Sequence, residues 1–155
     1  MSPLTARNPN ESDRDAQAIA AAAAVGPLFT EIDHVAIAVD DLGAALDSYR
    51  EAFGAVVDHR ELIDDDGVEE AILKVAQSYI KLISPTRTDS AVAEFLAEGG
   101  EGLHHVAYRV KDCAAALDVV RAAGYEVLDE EPRRASRGPT AALILHGTLI
   151  EMVEA

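Results

Sequence analysis

A shift of 71 positions lays one stretch of this sequence over another: His34 falls on His105, Val35 on Val106, Ala36 on Ala107, Val39 on Val110, Asp41 on Asp112, Leu46 on Leu117, Asp47 on Asp118 and Arg50 on Arg121. An internal repeat constrains a fold more than composition does, because each copy must be a supersecondary unit that completes its core against the other. The elements repeat in order as well. IDHVAIAV reads as a strand, DDLGAALDSYREAFG as a helix, and AVVDHRELI, EEAILKVA and SYIKLIS as three further strands. After a linking helix in SAVAEFLAEGG come LHHVAYRV, KDCAAALDVVRAAG, YEVLDEE, TAALILH and TLIEMVE in the same sense. The expected fold is α+β: two paired βαβββ modules, about residues 31–85 and 103–155 with the linking helix at about 89–98, forming a cupped mixed sheet in one domain, 31–155.

Residues 1–30 stand outside the repeat. MSPLTARNPNESDR is polar and aperiodic and reads as a disordered lead, whereas residues 15–25 suit a short Ala-rich helix stopped by Gly26 and Pro27. The run AIAAAAAV is too short to span a bilayer, and the ESDRD before it is acidic where a secretory signal needs positive charge. A cytoplasmic protein without a membrane partner is expected. Asp and Glu number 28 against 13 Lys and Arg, a formal charge of −15 that repels nucleic acid and anionic lipid alike. An anionic small-molecule substrate would need a local basic patch, for which Arg87, Arg133, Arg134 and Arg137 are the candidates. The one cysteine, Cys113, rules out an internal disulfide and reads as a packed thiol in a reducing compartment.

The repeat also sorts the adjacent histidines of GEGLHHVAYRV. Strand alternation sends His104 and His105 to opposite faces, and it is His105 that has a histidine partner, His34; the partner of His104 is Asp33. Loss of one residue later in the second copy makes the offset 70, which pairs Lys81 with Glu151. His34, Lys81, His105 and Glu151 thus fall at inward positions among Val, Ile and Leu, where burial is costly unless something pairs with them. Metal is the usual partner. Glu69 and Glu70 similarly face opposite ways on their strand.

From about Ile32 to the C-terminus, DHVAIAVDDLGAALDSYREAFG, DGVEEAIL, SPTRTDSAVAEFLAEGGEGLHHVAYRV and DEEPRR resemble the methylmalonyl-CoA epimerase family of the vicinal oxygen chelate (glyoxalase/bleomycin-resistance) superfamily. The resemblance implies a cup around a divalent metal (Co, Mn, Ni or Zn) held by His34, His105 and Glu151, a catalytic glutamate at Glu70, a small-molecule substrate and a homodimer. Two departures stand out. Lys81 occupies the place of the family's fourth ligand, a Gln or Glu, and an ammonium has donors only and cannot ligate a cation. LILHGTLIEM turns at His146 and Gly147, where the family has an extended L-H-P-K-x-x-G-G hairpin.

Lys81 leaves two readings open. In one, three ligands hold an open metal site and Lys81 is turned aside or neutral. In the other, Lys81 replaces the metal, pairs with Glu151 and stabilises a developing oxyanion while Glu70 acts as base. The implied reaction is isomerisation by removal of a proton α to the carbonyl of an acyl thioester or related small acid, with Glu70, Lys81 and Glu151 catalytic. A sequestering small-molecule-binding protein on the same scaffold, or a lyase or cyclase of a biosynthetic pathway that uses Lys81, is the alternative.

Overall fold

A computed structural model describes residues 13, 14, 16 and 28–155. Apart from residue 16, the Ala-rich stretch at 15–25 lies outside the described residues, as does most of the polar lead. No helix among those described is long and apolar enough to cross a membrane.

Nine strands form one sheet: β1 (Glu31–Ala38), β2 (Val57–Ile63), β3 (Val68–Val75), β4 (Ser78–Pro85), β5 (Gly102–Arg109), β6 (Glu126–Val127), β7 (Arg133–Ala135), β8 (Gly138–Leu145) and β9 (Thr148–Val153). Among residues 28–155 the helices are α1 (Leu42–Phe53), α2 (Ala91–Gly99) and α3 (Cys113–Ala122). The strand order is β2-β3-β4-β1-β5-β9-β8-β6, with β7 paired to β8. β1 and β5 run antiparallel at the centre, each parallel to the last strand of its own module, β4 or β9. Val35 faces Val106 across the central pair, with Ala36 opposite His105 on one side and His34 opposite Ala107 on the other. These are repeat partners, so the pseudo-twofold passes through Val35 and Val106.

Each repeated residue has a physical job. Asp41 and Asp112 cap α1 and α3 by accepting the N–H of Ala44 and Ala115 at 3.0 and 2.9 Å, contacts that contribute roughly 1 kcal/mol each. Leu46 and Leu117 fill the cores beneath α1 and α3 on the convex face of the sheet. Asp47–Arg50 and Asp118–Arg121 are exposed pairs at 3.2 Å, worth little in water. On the concave face, α2 starts at its cap Ser90 and packs Val92 on Ala38, Val68 and Ile83, forming one wall of the cup.

The second module is less regular than the sequence suggests. Of YEVLDEE, only Glu126–Val127 pairs with β8, because Asp129 turns its carboxylate onto the Ala142 N–H at 2.7 Å and Pro132 follows with no donor to offer. The chain returns as the short β7, which the sequence did not lead us to expect. The β7–β8 corner is Gly138, φ 124°, where a Cβ would collide with the Glu154 carbonyl. Residues 129–137 thereby overhang the concave face.

Strand alternation also fails at the two places that matter most. The β1–β5 register slips at Asp33 and again at His104, one bulge in each module. A bulge sets two successive residues against one on the partner strand and re-aims their side chains. His104 and His105 therefore both reach the same cavity, contrary to the expectation of opposite faces.

Candidate active site

The concave face encloses a cavity of about 250 Å³, lined in part by Glu70, Lys81, His104, His105, Arg133 and Glu151. A groove of about 780 Å³ on the other side, under Phe53 and Val75, is larger but mostly apolar, and the chemistry-bearing side chains are not there.

His34 is fixed from behind. Its Nδ1–H donates to Asp33 Oδ2 at 2.7 Å, and the fully buried Asp33 also accepts from Arg109 Nε at 2.7 Å and an Arg137 guanidinium nitrogen at 2.8 Å. Burial alone would raise the Asp33 carboxyl, but the hydrogen bonds from His34, Arg137 and Arg109 outweigh it and hold the group well below the usual carboxylate range. Burial pushes His34 down. A neutral His34 bonded through Nδ1–H leaves Nε2 bare, 3.2 Å from His105 Nε2.

His105 is consequently the donor. His34 Nε2 and Glu151 Oε2, the latter at 3.3 Å, both accept, so the hydrogen-bond network puts a proton on His105 Nε2. Its Nδ1 shares a hydrogen bond with His104 Nδ1 at 2.8 Å. Burial, with the charge of His105, pushes His104 down to about 4. Glu151 accepts from Arg133 at 2.8 Å. For Glu151, burial is outweighed by the bond to His105 and by the charges of His105, Arg133 and Lys81, which hold its carboxyl well below the ordinary range.

Glu70 is buried on β3, with Oε2 3.4 Å from Lys81 Nζ and Oε1 without a hydrogen-bond partner among the described residues. Glu69, next to it, faces the other way and accepts from Arg60 at 2.8 Å. The sequence reading that pairs Lys81 with Glu151 is corrected here. Ile72 and Ile83 are the direct register partners of Lys81 and Glu70, which puts the two charged residues at diagonal positions on one face of adjacent strands. Lys81 Nζ also donates to Ser136 Oγ at 3.4 Å. Of the four arginines expected to form a basic patch, Arg133 and Arg134 line the cavity. Arg137 instead lies behind it on Asp33 and over the Tyr79 ring, and Arg87 pairs with Asp89. Cys113 is buried at the start of α3 and burial pushes its thiol up to about 11, as suits a packed cysteine.

His34, His105 and Glu151 each offer one ligand atom, all within 4.8 Å of one another, a set that could hold a metal ion. The donor types fit; the surroundings do not. Charged residues lining the cavity already balance, with Asp66, Glu70 and Glu151 against Lys81, Arg133 and Arg134. A dication added beside a buried ammonium and an Arg133-bound carboxylate would leave two uncompensated charges in a water-poor space.

The sequence reading did not single out Asp33 or Ser136. Asp33 had one visible signal, its place as the repeat partner of His104; Ser136 had none.

The sequence profile described as Glyoxalase/Bleomycin resistance protein/Dioxygenase superfamily matches residues 33–142. An ethylmalonyl-CoA/methylmalonyl-CoA epimerase of Cereibacter sphaeroides is 37% identical over 132 residues, covering 81% of this chain and 98% of that protein. A methylmalonyl-CoA epimerase solved in complex with methylmalonyl-CoA and an ammonium ion superposes with a TM-score of 0.77 at 42% identity, over 80% of this chain and 93% of that one. The methylmalonyl-CoA epimerase of Mycobacterium tuberculosis gives 0.78 at 35% identity, over 81% and 88%.

Proposed function

The chain belongs to the Glyoxalase/Bleomycin resistance protein/Dioxygenase superfamily, and on that premise we propose that it is an isomerase of the methylmalonyl-CoA epimerase type, removing and returning the proton α to the carbonyl of a small acyl thioester or related acid. The observation that carries this reading is Glu70. A carboxylate oxygen that lies buried at a cavity wall without a partner costs free energy, and such orphans are retained where a substrate uses them. Glu70 takes the α proton, the C–H electron pair moves onto the carbonyl oxygen, and the cationic wall of Lys81 and Arg133 faces the charge that develops.

Epimerisation requires a proton to come back on the opposite face. That role falls to His105 as the imidazolium: the Nε2–H held between His34 and Glu151 on the far side of the cup passes to the α carbon and leaves the ring as neutral imidazole. Glu151 orients it and stays ionised. No step here needs a cobalt, manganese, nickel or zinc ion. A homodimer in the cytoplasm belongs to the same reading; Phe53 and Val56, at 77% and 75% exposure, provide apolar surface that a second copy would cover.

The relatives' names make 2-alkylmalonyl-CoA thioesters the first substrates to try, with a specialised biosynthetic acyl group next. Incubation with methylmalonyl-CoA and ethylmalonyl-CoA in deuterium oxide, followed by NMR, should show deuterium entering C2 with loss of stereochemical purity. Stoichiometric binding with no exchange in any thioester or free malonate tested would mean a sequestering protein instead.

A further inference from the structure

We infer that this site carries its own cation: the Lys81 ammonium, with Arg133 closing off Glu151, does the electrostatic work of a divalent metal, and the α-proton chemistry proceeds without one. The chemistry rests on the isomerase reading; the metal content does not.

Three observations combine. Lys81 is 5% exposed and its Nζ makes two contacts, to Glu70 and Ser136, both 3.4 Å long. An ammonium has three donors, so one remains for a substrate oxygen. Second, Glu151 is already occupied on both sides, by Arg133 at 2.8 Å through Oε1 and by His105 at 3.3 Å through Oε2. Third, the charged side chains lining the cavity already balance, Asp66, Glu70 and Glu151 against Lys81, Arg133 and Arg134, so a dication would arrive uncompensated.

Lys81 also sits where one positive charge can serve both ends of the reaction. Before proton transfer the negative charge is on Glu70, in contact with Lys81. When the α C–H bond breaks, its proton neutralises Glu70 and its electron pair goes to the carbonyl oxygen, which becomes the new anion and takes the free ammonium donor. Charge moves from one partner of Lys81 to another, and the total in the cavity does not change. Fixed charges aimed at a developing oxyanion need little reorganisation, which is where most electrostatic catalysis originates.

The test is elemental mass spectrometry on untagged protein purified without chelator, beside α-proton exchange before and after chelation. The parent should hold divalent metal far below one ion per chain, and chelator should leave its exchange rate unchanged. Lys81→Gln should lose exchange by about a hundredfold and, supplied with cobalt or zinc, should gain metal approaching one ion per chain. Near-stoichiometric metal in the parent with exchange abolished by chelator would overturn the inference, as would a Lys81→Gln chain that takes up no metal and exchanges like the parent. Should Lys81→Gln not fold, as judged by circular dichroism, the parent's metal content and chelator response still decide. A parent that exchanges no substrate at all would sink the isomerase reading, while its metal content would still decide this one.

Discussion

In the first module β3 brings Glu70 to the cavity; in the second, the 70-residue offset puts Thr140 at the same place, equally buried, its hydroxyl donated to the Gly138 carbonyl at 3.0 Å. The divergence continues strand by strand. Lys81 on β4 answers to Glu151 on β9, and the bulged Asp33 answers to the bulged His104. β2 has seven residues where β6 has two, and the length the second module does not spend on β6 becomes the overhang that delivers Arg133 to Glu151 and Ser136 to Lys81. Duplication supplies a symmetric cup, and one acid–base wall arises only where the copies cease to match. A symmetric site would repeat the same wall twice; this one has a base with an ammonium on one side and an imidazole with a carboxylate on the other.

Truncating the matched core leucines tests the symmetric part of that comparison. Leu46→Ala and Leu117→Ala should each cost about 3–4 kcal/mol in chemical denaturation, and near-equal losses are the expected result because both side chains fill the same place under their helix. Costs that differ by more than about 2 kcal/mol would mean that one module supports the other unequally. The bulges should behave oppositely. Asp33→Asn leaves Arg109 and Arg137 facing a neutral amide and should cost about 3 kcal/mol, whereas His104→Gln should cost about 1 kcal/mol.

The pH dependence sharpens the same contrast. His104 titrates near 4 in the folded protein against 6.5 in the unfolded chain, so between these values the unfolded state binds more protons and stability falls as pH falls. Melting curves across that window should flatten in His104→Gln. Asp33 and Glu151 act in the other range: their contribution is complete above the ordinary carboxyl values and fades only as pH drops toward their lower folded ones.

The smallest effect is expected at the turns. Ala76, between β3 and β4, and its repeat partner His146, between β8 and β9, both have left-handed φ, 53° and 49°. Ala76→Gly should stabilise by about 0.5–1 kcal/mol, the left-handed strain relieved less the entropy that glycine adds.

Much of the fold was legible because the repeat acts as an internal alignment. It set the element order and the central partners His34 and His105, each of which depends on local pattern. Contacts that depend on departures from local pattern were hidden. A bulge is one residue of slippage and leaves no periodic trace, so the shared facing of His104 and His105 could not be read. Lys81 was matched to Glu151 because the repeat relates them, but a diagonal neighbour on the adjacent strand lies closer than a symmetry mate three strands away. YEVLDEE, residues 125–131, read as one strand because its residues are strand-like, and only the tertiary bond from Asp129 to Ala142 ends β6 early. Arg133 was legible as a charge and not as the group that occupies Glu151.

The measurement closest to the central claim is the rate at which deuterium enters C2 of methylmalonyl-CoA with the parent, with Glu70→Gln and with Thr140→Val. Glu70→Gln should exchange about 10²–10⁴-fold more slowly while its circular dichroism matches the parent, and Thr140→Val should exchange within about twofold of it, since a buried hydroxyl satisfied by its own backbone has little to contribute beyond local stability. Exchange by Glu70→Gln as fast as the parent would contradict the assignment of the base and, with it, the division of labour between the two modules.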